Sequence, residues 1–150
     1  MRTLIIYHTR SGMTERIGQE IGAELDSRNV ETTIKRADAV NEQDFKDSDV
    51  WIFGSPVHFF GPSKASKRAL SVALRVNNDG KFFTTFDTRY ASYNGPGAAG
   101  KMANMLKDAG VKMITEPELF IVESSKGPLA KGEEIRASDF GKKIAQEMKF

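Results

Sequence analysis

Residues 4–14 of the chain are LIIYHTRSGMT, a continuous apolar run followed at once by a polar loop around one glycine. Leu4–Tyr7 is short, unbroken and rich in β-branched and aromatic side chains, which is typical of a strand buried on both faces. Such strands occur in parallel sheets that carry helices on both sides. The stretch therefore predicts a central parallel strand that ends in a loop.

Outward from this stretch, predicted strands and helices alternate along the chain. The next helix runs from Met13 to about Arg28, with Ile17, Ile21 and Leu25 on one face. The other predicted strands are Val30–Lys35 at a sheet edge, Val50–Phe53, Phe82–Phe86 and Leu119–Val122. Three further helices are predicted, each from small or apolar residues that recur at helical spacing. The first is marked by Ala65, Ala69, Ala73 and Val76 before a turn at 77–80, and the second by Met102, Met105, Leu106 and Ala109 before Gly110. The third is marked by Ala137, Phe140, Gly141, Ile144, Ala145 and Met148. Residues 36–49 predict only a polar connection. This alternation predicts an α/β fold with a doubly wound, five-stranded parallel sheet.

Composition narrows the class of protein. The chain has 150 residues, of which 39% are hydrophobic and 28% charged, so we expect one globular domain over residues 1–150. The sequence contains no cysteine, which excludes disulfides, zinc–thiolate sites, iron–sulfur clusters and cysteine nucleophiles. A formal net charge of +2 is too small to indicate a nucleic-acid-binding protein. No apolar run approaches the ~20 residues of a membrane span, and we expect no secretory signal. These features predict a cytoplasmic protein without a metal site.

The loop that follows the first strand has the composition of an anion-binding site. In doubly wound sheets, ligands bind at the carboxyl ends of the strands. The candidate ligand-binding loops are therefore residues 8–14, 54–62 and 87–100. In the first of these loops, Thr9, Ser11 and Thr14 surround Gly12 between a strand and a helix. Backbone N–H groups at a helix start and nearby hydroxyls together favour a phosphate group. The alternative is an ordinary turn with one hydroxyl as N-cap, but three hydroxyls in six residues exceed that need.

These residues also carry a resemblance to a known family. Residues 5–14, followed by the helix with Ile17 and Ile21, resemble the signature of the flavodoxin family, and the resemblance covers essentially the whole chain. It implies strand order 2-1-3-4-5 and flavin mononucleotide (FMN) as cofactor. Gly18 stands where the family usually has alanine, which exchanges one small residue for another. The first-loop residues that the resemblance assigns to the cofactor are Thr9, Arg10, Ser11, Gly12, Met13 and Thr14.

The second loop is implied to pack on one face and edge of the isoalloxazine ring. An aromatic pair between glycines would itself suit a flat ligand, although one of the two rings is expected to enter the core. The resemblance further implies that Gly61 permits a peptide rearrangement beside the flavin. His58 is expected to be a packing or surface residue rather than a general acid. The residues assigned to the cofactor in this loop are Ser55, Pro56, Val57, His58, Phe59, Phe60 and Gly61.

The third loop is implied to meet the pyrimidine end of the ring. Tyr90 and Tyr93 are the candidates for stacking, with a surface role equally open for each. Thr88 and Arg89 are candidate donors to the ring carbonyls, and Arg89 would favour the reduced, anionic flavin. A salt bridge between Arg89 and Asp87 is the alternative. The cofactor-binding residues assigned here are Asp87, Thr88, Arg89, Tyr90, Tyr93 and Gly95.

One departure from the family bears on the partner. Electron-carrying members of the family are usually strongly acidic, whereas this chain has a pI of about 8.8. Cations cluster near the expected ring site, namely Arg10, His58, Lys64, Lys67, Arg68, Arg89 and Lys101. Such a surface predicts an acidic redox partner protein or an anionic substrate.

The predicted function is FMN-dependent electron transfer. The first alternative is a small FMN-dependent NAD(P)H oxidoreductase of the quinone-reductase kind, which would use a nicotinamide cofactor. The second is a non-redox module of the same fold that binds another phosphate ligand, because fold alone does not determine function.

Overall fold

The structure, a computed structural model, describes residues 1–58 and 60–148. The strands within these residues are β1 (Arg2–Tyr7), β2 (Glu31–Arg36), β3 (Val50–Pro56), β4 (Phe82–Tyr90), β5 (Lys112–Met113) and β6 (Glu118–Val122). The helices are α1 (Met13–Ser27), α2 (Glu42–Lys46), α3 (Lys64–Ala73), α4 (Ala98–Asp108) and α5 (Glu133–Glu147).

The sheet is parallel throughout and follows the order β2-β1-β3-β4-β5, with β6 also paired to β4. The predicted doubly wound architecture and strand order are thereby confirmed. The fifth position differs from the prediction because two strands share it. Short β5 pairs with the start of β4, and β6 pairs with its end. Between them, the Thr84 hydroxyl donates to the Thr115 carbonyl at 2.9 Å, where the chain leaves the ladder before Pro117, which has no N–H to donate.

Two hydrophobic clusters cover the two faces of the sheet. Leu4 and Ile6 of β1 belong to the cluster that also contains residues of α3 and α4, whereas Ile5 belongs to the cluster of α1 and α5. Successive side chains of a strand point to opposite faces, so an unbroken apolar run satisfies both clusters. This explains why residues 4–7 carry no polar side chain except the Tyr7 hydroxyl.

Three elements depart from the sequence-based expectation. The connection between the second and third strands contains α2, which begins with a capping box formed by Asn41 and Asp44 and buries Phe45. Strand β4 continues to Tyr90, so residues 87–90 lie in the strand rather than in the following loop. Helix α3 ends at Ala73, before Val76, although Val76 is buried as the amphipathic pattern implied.

Gly54 in β3 provides a test of packing at the centre of the sheet. A Cβ at this position would lie 2.1 Å from Cζ of the Phe86 ring, which is fully buried on the adjacent strand. Overpacking of this kind typically costs about 1–3 kcal/mol. We therefore expect Gly54→Ala to lower the free energy of unfolding in urea by at least that range.

Gly100 in α4 is the matched control, because nothing lies within 4 Å of its added Cβ. Alanine in a helix interior is favoured over glycine by roughly 0.5–1 kcal/mol, so Gly100→Ala should stabilise the protein. Equal destabilisation by both substitutions would contradict the packing argument.

Candidate functional site

A cleft of about 310 Å³ opens at the carboxyl ends of β1, β3, β4 and β6. Four segments line it, and three of them are the loops that the sequence singled out. The lining residues are Thr9, Arg10, Ser11, Met13, Thr14, Pro56, Val57, Phe60, Thr88, Arg89, Tyr90, Tyr93, Val122, Ser124 and Ser125. The structure thus brings twelve of the predicted site residues together on one surface.

The amino end of α1 is open toward this cleft. Gly12 is the N-cap residue, with φ of 91°, and no side chain caps the helix. The Thr9 hydroxyl accepts a hydrogen bond from the Gly12 N–H at 2.8 Å, which holds the loop but leaves the first helical N–H groups without a capping side chain. The ordinary N-cap alternative therefore does not describe this turn. An anion is the natural acceptor for such groups, which also carry the positive end of the helix dipole.

A buried hydroxyl pair joins the first loop to β4. The Oγ1 atoms of Thr14 and Thr88 are 2.9 Å apart, and both side chains are buried. Each hydroxyl has one donor and two acceptor positions, so the pair can bond to one another and still bond to a ligand. This contact joins the first turn of α1 to the β4 wall of the cleft.

Asp87 and Arg89 form a two-pronged ion pair at the base of the same wall. The Arg89 Nε donates to Asp87 Oδ1 at 2.9 Å, and Nη2 donates to Oδ2 at 2.6 Å. Asp87 is fully buried and also accepts the Ala99 N–H in the first turn of α4 at 2.8 Å. These bonds raise the pKa of the Arg89 guanidinium above its ordinary value. The salt bridge that stood as the alternative for Arg89 is therefore present, and Arg89 still lines the cleft.

The aromatic walls are partly exposed. Phe60 is 62% exposed and has φ of 67°, a left-handed conformation that is unfavourable for a bulky residue. Reciprocal backbone hydrogen bonds between His58 and Gly61 close the turn around it. The Phe60 ring lies 6.2 Å from the ring of Tyr93, whose hydroxyl donates to the Pro96 carbonyl. The left-handed residue of this turn is thus Phe60 rather than Gly61, and Phe59 lies outside the described residues.

Several predicted site residues lie behind the cleft rather than on it. Ser55 is buried and holds the second loop to α3, because its hydroxyl accepts the Ser63 N–H at 3.0 Å. Gly95 lies close against the Tyr93 ring, and Gly61 lies under the Lys101 side chain. His58 turns away from the cleft wall and its Nε2 lies 2.9 Å from Arg10 Nη2.

The segment after β6 was missed by the sequence analysis. Val122, Ser124 and Ser125 line the cleft because β6 pairs with the carboxyl half of β4 and ends at the same edge. The signal for this segment is its place after a predicted strand, since ligands bind at the carboxyl ends of the strands in such sheets.

Comparison with known proteins now identifies the family. The family model described as flavodoxin matches residues 5–142. The chain belongs to the flavodoxin family. It is 25% identical over 157 residues to a flavodoxin of Clostridium saccharobutylicum, covering 99% of this chain and 98% of that one. Among solved structures, it is similar to a flavodoxin from the domain Archaea, with TM-score 0.84, 17% identity and full coverage of both chains. It is also similar to oxidised flavodoxin 1 of Bacillus cereus, with TM-score 0.84, 15% identity and coverage of 97% and 98%.

Membership of the flavodoxin family establishes the cofactor and the kind of reaction. This flavodoxin-family protein binds FMN and transfers electrons to redox partner proteins, as predicted, and neither the reductase nor the non-redox alternative is favoured. The cleft fits FMN by its own features, since an uncapped helix start suits the phosphate and a partly exposed aromatic wall suits a flat ring. Within residues 1–58 and 60–148, no helix is long and apolar enough to cross a membrane.

His8, which follows β1, makes the stability of the flavodoxin sensitive to acid. Burial lowers the pKa of His8 below its ordinary 6.5, and the cations Arg36 and Arg10 lower it further, against a smaller opposing effect of Asp38. Its buried Nδ1 has no hydrogen-bond partner among the described residues. The folded protein therefore binds the His8 proton less readily than the unfolded chain does.

We expect this difference to reduce stability as the pH falls below about 6.5, where the unfolded chain takes up the proton first. The free energy of unfolding of the apoprotein in urea should thus fall more between pH 7.5 and pH 5.5 than that of His8→Gln. Parallel pH profiles of the two proteins would show that His8 does not contribute.

Proposed function

We propose that the flavodoxin is an electron carrier that holds FMN in the cleft with the phosphate on residues 9–14 and the ring between residues 56–60 and 88–93. The observation that carries this proposal is the uncapped start of α1 opening into an aromatic-walled cleft of about 310 Å³. Residues 1–150 form the FMN-binding domain in this proposal. A cytoplasmic location stays a prediction from composition.

The phosphate would be held mainly by neutral donors. The hydroxyls of Ser11 and Thr14 line the cleft beside the N–H groups of the first turn of α1, and the Arg10 side chain supplies a cation. Thr9 and Gly12 act indirectly, because their mutual hydrogen bond sets the shape of the loop. Hydrogen bonds to an ionised group contribute about 1.5–3 kcal/mol each.

The ring would lie between the second and third loops. Pro56, Val57 and Phe60 form one wall, and Thr88, Tyr90 and Tyr93 form the other. The bound flavin supplies the electron-transfer chemistry, and the chain supplies orientation, exclusion of water and local charge. Ser124 and Ser125 at the fourth wall extend the proposed contacts beyond those predicted from sequence.

Ser11 provides a test of the phosphate position. Its side chain is exposed at the cleft and makes no hydrogen bond to other described residues, so Ser11→Ala should leave the fold intact. We expect the variant to bind FMN roughly tenfold or more weakly, as the loss of one charge-assisted hydrogen bond implies. Quenching of flavin fluorescence on titration measures the affinity.

Riboflavin, which lacks the phosphate, is the control ligand. Its affinity should be nearly the same for the parent and Ser11→Ala. Equal losses for both ligands would place Ser11 away from the phosphate, and absence of flavin absorbance after FMN addition and dialysis of the parent would refute the FMN site altogether.

Arg89 provides a test of the ring position. Reduction adds negative charge to the flavin, which a nearby cation stabilises and a nearby carboxylate opposes. Arg89→Ala removes the cation and leaves the buried Asp87 carboxylate without its ion-pair partner, so the reduction potential of the bound flavin should fall. Spectroelectrochemical titration measures it, with Lys64→Ala as a control that should scarcely change the potential because Lys64 is exposed and outside the cleft.

A double variant distinguishes the effect of the Arg89 charge on the reduction potential from the effect of leaving Asp87 unpaired. Asp87→Asn combined with Arg89→Gln removes both charges at once, so it leaves no unpaired buried carboxylate and should shift the potential much less than Arg89→Ala. If neither variant changes the potential, Arg89 does not lie beside the ring.

The partner that this surface suits is an acidic redox protein. The basic pI and the cations near the cleft support this choice, since complementary charge accelerates encounter. The competing reductase activity has a direct readout. Rapid bleaching of the bound flavin by NADPH under anaerobic conditions would favour it over a carrier.

A further inference from the structure

A second groove of about 580 Å³ adjoins the flavin cleft. We call it the basic groove. Its walls come from the end of β1, the turn after β3 and the first turns of α3, and include His8, Arg10, His58, Lys64, Ala65 and Arg68. None of its lining residues is a carboxylate. Arg10 lines both the basic groove and the flavin cleft, so the two sites share a wall.

The cations of the basic groove are not neutralised by neighbours. Arg10, Lys64 and Arg68 form no ion pair with the carboxylates of residues 1–58 and 60–148. Arg10 is bonded to His58, and Arg68 Nη1 donates to the Ala37 carbonyl at 3.2 Å, and neither contact removes charge. Arginines elsewhere in the described chain are mostly paired, namely Arg2, Arg16, Arg28, Arg36, Arg89 and Arg136. The basic groove therefore concentrates positive charge that no carboxylate of the described residues balances.

His58 contacts one of the cations of the basic groove. A guanidinium donates hydrogen bonds and cannot accept them, so His58 Nε2 must be the acceptor of the 2.9 Å contact with Arg10. The positive charge of the basic groove thus rests on Arg10, Lys64 and Arg68.

The basic groove differs from the phosphate loop in its donors. The Ser63 hydroxyl caps α3 by accepting the Ser66 N–H at 3.2 Å, whereas no side chain caps α1. The basic groove therefore offers long, exposed side chains instead of converging backbone N–H groups. Such side chains pair with carboxylates, and three of them spread over an open surface suit several carboxylates of a protein partner.

An exposed aromatic side chain lies in the turn that contributes to both sites, with Phe60 lining the flavin cleft and His58 lining the basic groove. Phe60 is 62% exposed in a strained backbone conformation, in the turn that carries His58 toward the basic groove. The Lys101 side chain crosses the same turn at Gly61. An apolar centre with a cationic rim is the usual make-up of a protein interface, in which aromatic residues and arginine are enriched.

We propose that the basic groove together with Phe60 is the docking site for the redox partner, with carboxylates of an acidic protein surface seated among Arg10, Lys64 and Arg68. This proposal rests on the proposed function in taking the partner to be an electron-transfer protein. A partner bound there covers the shared Arg10 wall, which places it against the edge of the flavin cleft.

Charge-reversal variants of the FMN-loaded protein test the proposal. The probe is fluorescein-labelled hexaglutamate, whose binding at low ionic strength is followed by fluorescence anisotropy. We expect Lys64→Glu with Arg68→Glu to weaken binding at least tenfold. The matched control is Lys142→Glu with Lys143→Glu on α5, which changes the net charge equally at exposed positions and should weaken binding less than twofold.

Lys64→Glu alone keeps the test valid if the double variant folds poorly, because Lys64 makes no hydrogen bond to other described residues. It should weaken binding about threefold. Equal losses in the groove and α5 variants would show that only overall charge matters and would overturn the docking site.

Two further measurements test whether another ligand occupies the basic groove and whether a failure lies in the docking site or in the FMN site. Saturable binding of inorganic pyrophosphate or NADPH that the groove variant loses, without hexaglutamate binding, would reassign the basic groove to a small phosphate ligand and overturn the proposal. FMN affinity, measured by fluorescence quenching, should be unchanged in all of these variants. Failure of the docking site would leave that affinity intact, whereas failure of the FMN site would abolish it in the parent protein.

Discussion

Burial of β1 and β3 on both faces is the constraint on which the rest of the structure depends. Each strand must contribute apolar side chains to both hydrophobic clusters, and helices must cover both faces. With every strand parallel, the chain can enter each covering helix only from the carboxyl edge of the sheet. Polar loops therefore meet at that edge, and the amino end of α1 is directed at the same place as the ends of β3 and β4. The position of the flavin cleft thus follows from the way in which helices cover both faces of the parallel sheet.

A buried carboxylate completes this edge. Asp87 replaces a side-chain cap for α4, because Gly97 has none to offer and the Ala99 N–H bonds to Asp87 instead. Glycine is required at position 97, since an added Cβ would lie 1.6 Å from Arg89 Nη2. Removing the Arg89 charge would leave the Asp87 carboxylate buried and unpaired, which typically costs 3–5 kcal/mol. The same ion pair thus holds α4, shapes the cleft wall and fixes the charge beside the proposed ring position.

The parts of this structure that the sequence predicts are those with a local pattern. The apolar runs of β1 and β3 and the stripe of Ile17, Ile21 and Leu25 are visible without tertiary information, and so is the hydroxyl-rich first loop. Helix α2 has five residues and one buried side chain, too few for any periodicity to show. The extension of β4 is held by backbone pairing to β3 and β6, which does not require apolar side chains. The hydrogen bonds by which Ser55 and Asp87 hold the first residues of α3 and α4 depend on where these helices begin, which spacing along the chain does not determine.

The distribution of charge explains how a basic protein can hold an anionic cofactor and still use its cations for recognition. Arg89 is neutralised by Asp87, and the proposed phosphate site would rely on hydroxyls and N–H groups, with Arg10 as the cation in its wall. Lys64 and Arg68 are exposed and lie outside the flavin cleft. Charges of this kind are screened over a distance of about 10 Å at 0.1 M salt, so they act strongly on a protein docked against them and weakly on a ring inside the cleft. Salt should accordingly slow association with the partner while leaving the flavin potential nearly unchanged, because the two effects depend on different cations.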